Sequence, residues 1–352
     1  MRFARPGWVG SVERMAISWR PLTEADVPAM ALLVTDADAV DRTGERAGES
    51  ELTRLLTGSA VSAADSTLAA VADGRLVAFA AIPIRQQTGE VHRVRIVGQV
   101  HPDWRGRGIG RELLRWQVDR AKHLAFAAHP ELPLELHVHV DSRNDAQRAL
   151  LFGEGFRAAR EFATMRAPLP TPTPPQSAVP TGLRLIDYVE RHDEATRLAL
   201  NEAFLDHWGH RTISAQDWRS GFTDMPSFRP ALSTLALDER TGEVAGFVLG
   251  FEYDAATERT GVREINLGHV GTRRPWRRRG LAAAMVGRVL AAAGAAGFGT
   301  AGLSVDTDNP NGAPRVYRRA GFEVVRRWHA MVLAVSPQPL PRTTSGTPRH
   351  NP

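Results

Sequence analysis

The sequence contains no cysteine, and among its basic residues only Lys122 is a lysine. The lack of cysteine excludes a disulfide scaffold, a thiolate nucleophile and a zinc site with cysteine ligands. The arginines are spread along the chain, so the net charge of +5 is not the clustered footprint of a nucleic-acid-binding surface. The one dense basic cluster, residues 273–279, is explained more simply by a small anionic ligand. We expect no nucleic-acid partner and no metal.

Long hydrophobic runs are also missing. No apolar stretch approaches the roughly 20 residues that a membrane-spanning helix needs. Residues 1–15 contain three arginines but no apolar signal core, and we predict that they form a disordered extension. We therefore expect a cytoplasmic protein, a monomer or a homodimer, that binds no membrane.

A proline-rich segment divides the chain. Residues 168–182 cannot form a helix or pair in a sheet, so they are predicted to be an extended linker. The length suits two domains, which we place at residues 16–167 and 183–336 and call the first and second copies. Residues 337–352 are predicted to be a disordered tail.

A glycine-rich turn occurs once in each copy, at residues 100–110 and 270–282. Arg105 and Gly108 of the first turn recur 172 residues later, and both turns end in Arg-x-x-Gly-x-Gly/Ala. In each copy a strand, helices, a hairpin and a further strand (Val94 to His101, or Glu264 to Val270) precede the helix of the turn, and a strand, a short helix and a final strand follow that helix. This order predicts a mixed α/β (α+β-like) class with two tandem domains, each a mixed, mostly antiparallel sheet flanked by helices.

The turn has the chemistry of a pyrophosphate site. Glycines let phosphate oxygens approach the unpaired N–H groups at the start of a helix, where the helix dipole is positive. A P-loop would need a Gly-Lys-Ser/Thr ending, which is absent. The predicted cofactor-binding residues are Val270, Gly271, Thr272, Arg277, Arg278, Arg279, Gly280, Leu281 and Ala282 in the second copy, and Val100, His101, Pro102, Arg105, Gly106, Arg107, Gly108, Ile109 and Gly110 in the first.

The turn at residues 100–110 resembles the acetyl-CoA motif of the GCN5-related N-acetyltransferases, and residues 309–322 resemble the second CoA-side motif of that family. The resemblance covers both copies, and the tandem arrangement is similar to the mycothiol-synthase-like double-domain acetyltransferases. It implies acetyl-CoA as co-substrate, bound in a V-shaped gap between strands, and direct transfer of the acetyl group to a primary amine. Asn309 is then a further cofactor-binding residue.

The resemblance places the chemistry in the second copy. Glu264, six residues before Val270, is predicted to be the general base, and the N–H of Val270 to polarise the thioester. Tyr317, five residues before Phe322, is predicted to be the general acid. In the first copy, the residue six before Val100 is Val94 and the residue five before Phe156 is Leu151. The first copy is therefore predicted to be a non-catalytic domain, retained for cofactor binding or as a scaffold.

Several alternatives stay open. Asp306 or Glu252 could reach the gap from neighbouring strands as the base. Both domains could be catalytic, although the residues of the first copy argue against this. A non-enzymatic acyl-CoA-binding sensor is a third possibility, against which the acid/base pair of the second copy argues.

The acceptor pocket is expected on the early helices of the second copy, at His207 and Trp208, and on the fifth strand at Ser304. Aromatic and acidic groups together suit a cationic, partly apolar amine. At about the position of Ser304 the mycothiol-synthase-like proteins carry an aromatic residue, from which this chain departs. A small-molecule amine, an antibiotic and a peptide N-terminus all remain possible acceptors.

Overall fold

The structure is a computed structural model that describes residues 16–43, 48–84, 90–169, 177–210 and 212–337. The predicted extension at residues 1–15 lies outside the described residues. So do residues 170–176 of the predicted linker and 338–352 of the predicted tail. Within the described ranges, no helix has both the length and the hydropathy to cross a membrane.

The elements follow one another in the same order in both copies. The strands are β1 (Ser18–Arg20), β2 (Thr67–Ala72), β3 (Arg75–Ala81), β4 (His92–Arg95), β5 (Val97–Val100), β6 (Leu134–Asp141), β7 (Arg157–Pro168), β8 (Leu183–Asp187), β9 (Thr234–Asp238), β10 (Val244–Glu252), β11 (Glu264–Thr272), β12 (Thr300–Asp306) and β13 (Glu323–Val335). The α-helices are α1 (Val27–Asp41), α2 (Glu49–Thr57), α3 (Ala63–Ser66), α4 (Ile109–Ala128), α5 (Asp145–Gly153), α6 (Asp193–Ala203), α7 (Ala215–Trp218), α8 (Asp254–Thr260), α9 (Leu281–Ala295) and α10 (Ala313–Arg319).

The chain forms two compact units, and they do not follow the two sequence copies. Of the described residues, those from 16–84 and 96–121 form the first unit, and those from 90–95 and 122–337 form the second. The second unit therefore contains the whole second copy together with the last strands of the first copy.

The first unit contains a four-stranded antiparallel sheet in the order β1-β2-β3-β5. Asp73 and Gly74 both have positive φ angles, which closes the predicted β2–β3 hairpin with a tight turn. Helix α1 presents Val27, Met30 and Leu33 to the core at helical spacing.

One strand prediction was wrong in detail. The run from Val94 to His101 was expected to be a single strand, but it is divided at Ile96 into β4 and β5. β5 pairs with β3 in the first unit, whereas β4 pairs with β6 in the second unit. The apolar pattern of the sequence is continuous over this change of partner and therefore does not reveal it.

The second unit contains a nine-stranded sheet in the order β4-β6-β13-β7-β12-β11-β10-β9-β8. Strands β8 to β11 form an antiparallel meander, and β11 then runs parallel to β12. The expectation of a mixed, mostly antiparallel sheet flanked by helices is confirmed.

The two copies exchange their last strands. β7 belongs to the first copy, yet it pairs with β12 on one side and β13 on the other, both from the second copy. In return β13 pairs with β6 of the first copy. The penultimate strand of each copy therefore has the last strand of the other copy as its neighbour.

The sheet of the second unit buries a different core on each face. On one face the alanine-rich α9 packs Met285, Val286 and Val289 against the strands. The other face carries an aromatic core, in which Trp218 is 1% exposed and donates its indole N–H to Asp193 at 2.6 Å. The two faces of the sheet therefore carry different side chains, mainly aliphatic on the α9 side and mainly aromatic and aliphatic on the other.

The strand exchange predicts that the second copy is not an independent domain. A fragment of residues 177–337 lacks β6 and β7, so one edge of β12 and both edges of β13 lose their partners. We expect it to show no cooperative thermal unfolding by circular dichroism. A fragment of residues 122–337, which retains β6, α5 and β7, should melt cooperatively. A cooperative melt of the shorter fragment would contradict the stabilising role of the exchange.

Candidate active site

A cavity of about 1130 Å³ opens in the second unit where β11 and β12 separate. The two strands pair only from Glu264 to Asn266, opposite Thr300 to Gly302. Beyond these residues β11 stays with β10, whereas β12 stays with β7. The lining of the cavity includes residues 267–272 of β11, residues along the length of α9, the end of β12, and α10.

A bulge in β11 lies beside the separation point. Leu249 pairs with His269 but Gly250 pairs with Leu267, so Gly268 has no partner on β10. A Cβ at Gly268 would lie 2.7 Å from the ring of Phe251, which explains why glycine stands there. The bulge allows both Leu267 and Val270 to face the α9 side of the sheet.

The hydrogen-bond alternation of β11 turns one N–H group towards the gap. Arg273 donates its N–H to the carbonyl of Ala245, which makes this a hydrogen-bonded pair of the antiparallel ladder. Such pairs alternate, so the pairs that contain Thr272 and Val270 are non-hydrogen-bonded. Their N–H and C=O groups therefore point away from β10, to the side where β12 has separated.

The glycine turn of the second copy has the backbone of an anion site. Arg278 and Gly280 both adopt positive φ angles, and α9 begins at the next residue, Leu281. No atom lies within 4 Å of the position that a Cβ of Gly280 would occupy. The unpaired N–H groups of the first helical turn, with the positive end of the helix dipole, are accessible there.

The arginines of this turn mostly bind the protein itself. Arg277 donates to the carbonyls of Thr272 and Ala203, at 3.0 and 2.9 Å, and to the Asp206 carboxylate at 3.0 Å. Arg279 donates to the carbonyl of Thr181 and does not line the cavity. The other predicted cofactor-binding residues of the second copy line it together with Arg277: Val270, Gly271, Thr272, Arg278, Gly280, Leu281, Ala282 and Asn309.

The first copy has the same turn in the first unit. Arg105 donates to the carbonyl of Val100 at 3.2 Å and pairs with Asp41 at 2.6 Å, as Arg277 does with Thr272 and Asp206. The remaining predicted cofactor-binding residues of the first copy form the turn and the start of α4. Gly106 and Gly108 have positive φ angles, His101 and Pro102 lead into a 3₁₀ turn, Arg107 lies over Trp104, and Ile109 and Gly110 begin the helix.

These arginine contacts agree with the 172-residue offset of the two glycine turns and correct the comparison of Val100 with Val270. In each copy the arginine binds the carbonyl five residues before it, so Val100 corresponds to Thr272 and not to Val270. The residue of the second copy that corresponds to Val94 is then Asn266, rather than Glu264.

Glu264 lies at the beginning of β11 and is not among the residues that line the cavity. Its carboxylate accepts a hydrogen bond from Arg166 on β7 at 2.6 Å and a longer one from Thr300. A Cβ at Gly302 would lie 2.9 Å from the same carboxylate. The side chain of Glu264 thus extends past β12 to Arg166 on β7, the exchanged strand.

Tyr317 on α10 lines the cavity and is buried. Burial raises the pKa of its phenol, so the hydroxyl is a proton donor at neutral pH. Phe322 donates its N–H to the carbonyl of Tyr317, and Phe156 donates in the same way to Leu151. Leu151 is therefore the structural counterpart of Tyr317 in the first copy.

Asp306, an alternative base, stands at the end of β12 and lines the cavity. Its Oδ1 accepts the N–H of Asp308 at 2.9 Å, and among the described residues no basic side chain forms an ion pair with it. Asp141 of the first copy makes the same backbone contact but is bound by the guanidinium groups of Arg143 and Arg326.

Glu252, the other alternative base, is held by two arginines. Arg229 and Arg263 bind its carboxylate at 2.8 and 2.7 Å. It does not line the cavity.

The predicted acceptor residues are divided between the cavity and its surroundings. His207 and Ser304 line the cavity, whereas Trp208 lies behind it, with its ring 6.2 Å from that of Phe162. His207 donates through Nδ1 to the carbonyl of Trp208 at 2.9 Å if the ring carries its proton there.

The cavity lining includes Phe162, His269 and Trp328, which the sequence did not indicate. Phe162 and Trp328 stack with ring centroids 4.2 Å apart and planes 7° apart. Phe162 lies on β7 and Trp328 on β13, the two exchanged strands. Their distance along the chain from the glycine turn therefore does not indicate that they line its cavity. His269 could have been found only by recognising the bulge in β11.

His269 is a buried neutral histidine. Its ring is 4.8 Å from Phe222 and 5.9 Å from Phe204, and its Nδ1 atom has no hydrogen-bond partner among the described residues. Desolvation, with a smaller effect of nearby His207, lowers the pKa of His269 to about 4.

Comparison with known sequences identifies the repeat. The profile of the family described as "Acetyltransferase (GNAT) family" matches twice, at residues 36–152 and 193–322. A mycothiol acetyltransferase from Salinispora tropica is 32% identical over 315 residues, which cover 88% of this chain and 91% of that protein. One from Streptomyces coelicolor is 30% identical and covers 90% of this chain and 94% of its own length.

Solved structures show the same architecture. A GCN5-related N-acetyltransferase from Sphaerobacter thermophilus has a TM-score of 0.72 and 28% identity, covering 91% of this chain and 96% of its own. A tandem GNAT protein from the clavulanic acid biosynthesis pathway has a TM-score of 0.66 and 18% identity, covering 92% of this chain and 100% of its own. The second likeness concerns the fold alone.

The buried His269 predicts a loss of stability in mild acid. Its pKa is about 4 in the folded chain and about 6.5 when unfolded, so below pH 6.5 the unfolded state takes up a proton that the folded state does not. Between pH 7 and pH 5 this costs about 2 kcal/mol of the free energy of unfolding. In urea titrations at both pH values, His269→Gln should lose about 2 kcal/mol less than the wild type. Equal losses would show that His269 is not the titrating group.

Proposed function

Because the chain belongs to the acetyltransferase (GNAT) family and is an acyltransferase, we propose that its second copy transfers the acetyl group of acetyl-CoA to a small-molecule primary amine. The observation that carries this proposal is a contrast between equivalent positions. The second copy has Asp306, which forms no ion pair with the described residues, and a buried, protonated Tyr317 on the same cavity. The first copy has an arginine-bound Asp141 and an apolar Leu151 instead.

The glycine turn and the gap would hold the acetyl-CoA. The N–H groups at the start of α9 suit the pyrophosphate, and the small residues around Gly280 leave room for it. The N–H of Val270 points into the gap and would donate to the thioester oxygen, stabilising the negative charge that develops there.

Asp306 is the carboxylate that we propose as general base. One of its oxygens is fixed by the N–H of Asp308, which orients the carboxylate at the cavity. As the amine nitrogen attacks the thioester carbon, Asp306 takes up the proton that the nitrogen loses. Glu264, the base expected from the sequence, remains the competing candidate, but Arg166 holds its carboxylate outside the cavity lining.

Tyr317 would complete the reaction as general acid. When the tetrahedral intermediate collapses, the carbon–sulfur bond breaks and CoA leaves as a thiolate. Tyr317 would donate its phenolic proton to that sulfur, and its raised pKa keeps the proton available at neutral pH.

A small-molecule acceptor is supported by the relatives, which are named as mycothiol acetyltransferases and match this chain over most of its length. The acceptor end of this chain has Ser304 at the cavity, with aromatic rings supplied by neighbouring strands. We propose that the first copy is non-catalytic and acts as the scaffold that supplies β7.

Two substitutions test the proposed proton-transfer groups. Asp306→Asn and Tyr317→Phe should each reduce kcat by about 100-fold or more, because each removes a proton-transfer group. The affinity for acetyl-CoA, measured by titration calorimetry, should change less than threefold. Turnover is followed as the release of free CoA across a panel of primary amines.

Glu264→Gln decides between the two carboxylates, and Tyr253→Phe, at an exposed tyrosine, is the control for Tyr317→Phe. Both should retain most of the wild-type kcat. A large loss in Glu264→Gln with full activity in Asp306→Asn would assign the base to Glu264. Full activity in Tyr317→Phe would remove the acid role.

A further inference from the structure

Five aromatic rings form a continuous row beside the cavity, which we call the ring wall: His139, Trp328, Phe162, Trp208 and His137. Successive ring centroids lie 4.2, 4.2, 6.2 and 5.4 Å apart. The rings come from β6, β13, β7 and the loop after α6, so the strand exchange assembles them. Phe162 and Trp328 line the cavity next to Ser304.

The ring wall is uncharged at neutral pH. Burial lowers the pKa of His139 to about 3, and burial also lowers the pKa of His137 below its usual value. The acidic partner of His137 is Glu135, which Arg93 also binds at 2.9 Å. A ligand that meets this wall therefore contacts apolar ring surface rather than a cation.

Three arginines on β7 and β13 already have acidic partners. Arg166 binds Glu264 at 2.6 Å, Arg326 binds Asp141 at 2.8 Å, and Arg160 lies 3.6 Å from Asp308. The arginines that line the cavity are Arg277 and Arg278 of the glycine turn and Arg319 of α10. The described lining residues of β7, β12 and β13 include no basic side chain: Phe162, Ser304, Val305, Asp306 and Trp328.

On the basis of the proposed function, we propose that the ring wall selects the acceptor and that its class is a primary arylalkylamine without an anionic group. The ammonium lies against Asp306 while its ring packs on Phe162 and Trp328, where a flat apolar body gains contact and a desolvated cation gains from the rings. An amine with an α-carboxylate would bring a second negative charge next to Asp306, and the described lining residues of β7, β12 and β13 include no basic side chain to balance it.

A consequence is that the first copy contributes to specificity. Phe162 belongs to β7, and its register places it opposite Asp306 on one side and Trp328 on the other. The exchanged strand therefore carries an acceptor-contacting residue in addition to completing the sheet.

The test uses three amines of related structure: 2-phenylethylamine, ethylamine, which lacks the ring, and phenylalanine, which adds a carboxylate. Binding to the full chain in the presence of CoA is measured by calorimetry, and turnover with acetyl-CoA is measured as CoA release. We expect 2-phenylethylamine to exceed both others at least tenfold in affinity and in kcat/KM.

Phe162→Ala should reduce kcat/KM for 2-phenylethylamine about tenfold and leave that for ethylamine within twofold, and Phe162→Leu should restore part of the loss. Phe152→Ala is the matched control, because this phenylalanine is 47% exposed and does not line the cavity. Its kinetics should equal those of the wild type.

Three failures are distinguishable. Equal affinity for 2-phenylethylamine and ethylamine, or an equal effect of Phe162→Ala on both amines, overturns the role of the ring wall while acetyl transfer stands. Ring-dependent binding without acetylation of any amine supports the wall as a binding surface and overturns the proposed reaction. Preferred binding of phenylalanine overturns the exclusion of anionic acceptors.

Discussion

The separation of β11 from β12 is the constraint on which the rest of the site depends. Parallel pairing ends at Asn266 because β12 follows β7, a strand inserted from the other copy, while β11 follows β10. The same separation leaves the N–H of Val270 without a strand partner and opens the cavity in front of it. Sheet pairing elsewhere in the second unit therefore leaves part of the β11 backbone facing the cavity.

The two copies share a turn but differ in what surrounds it. The arginine at the end of each turn binds the strand carbonyl five residues earlier and an aspartate, so it shapes the turn in both copies. The groups suited to proton transfer differ: Asp306 and Tyr317 face the cavity, whereas Asp141 is bound by arginines and Leu151 is apolar. A repeated anion-binding turn thus does not imply a repeated reaction centre.

The sequence was sufficient for features that depend on local pattern. The glycine turns, the β2–β3 hairpin, the helices after the turns and the mixed antiparallel class all follow from spacing and residue type. The strand exchange did not follow, because β7 fits either copy equally well by its apolar pattern. Counting back from Val270 failed by two residues, because the 172-residue offset of the two glycine turns and the matching arginine contacts both make Thr272 the counterpart of Val100. Phe162 and Trp328 were not predicted to line the cavity because they lie on the exchanged strands β7 and β13.

A matched pair of turn variants tests the central claim that only the second copy catalyses. Gly280 and Gly108 occupy equivalent positions with positive φ angles, so a valine side chain strains both turns in the same way. The measurement is the rate of CoA release at saturating acetyl-CoA and amine. The account predicts that Gly280→Val abolishes turnover and that Gly108→Val retains at least half of it. Loss of turnover in Gly108→Val with activity kept in Gly280→Val would contradict the account.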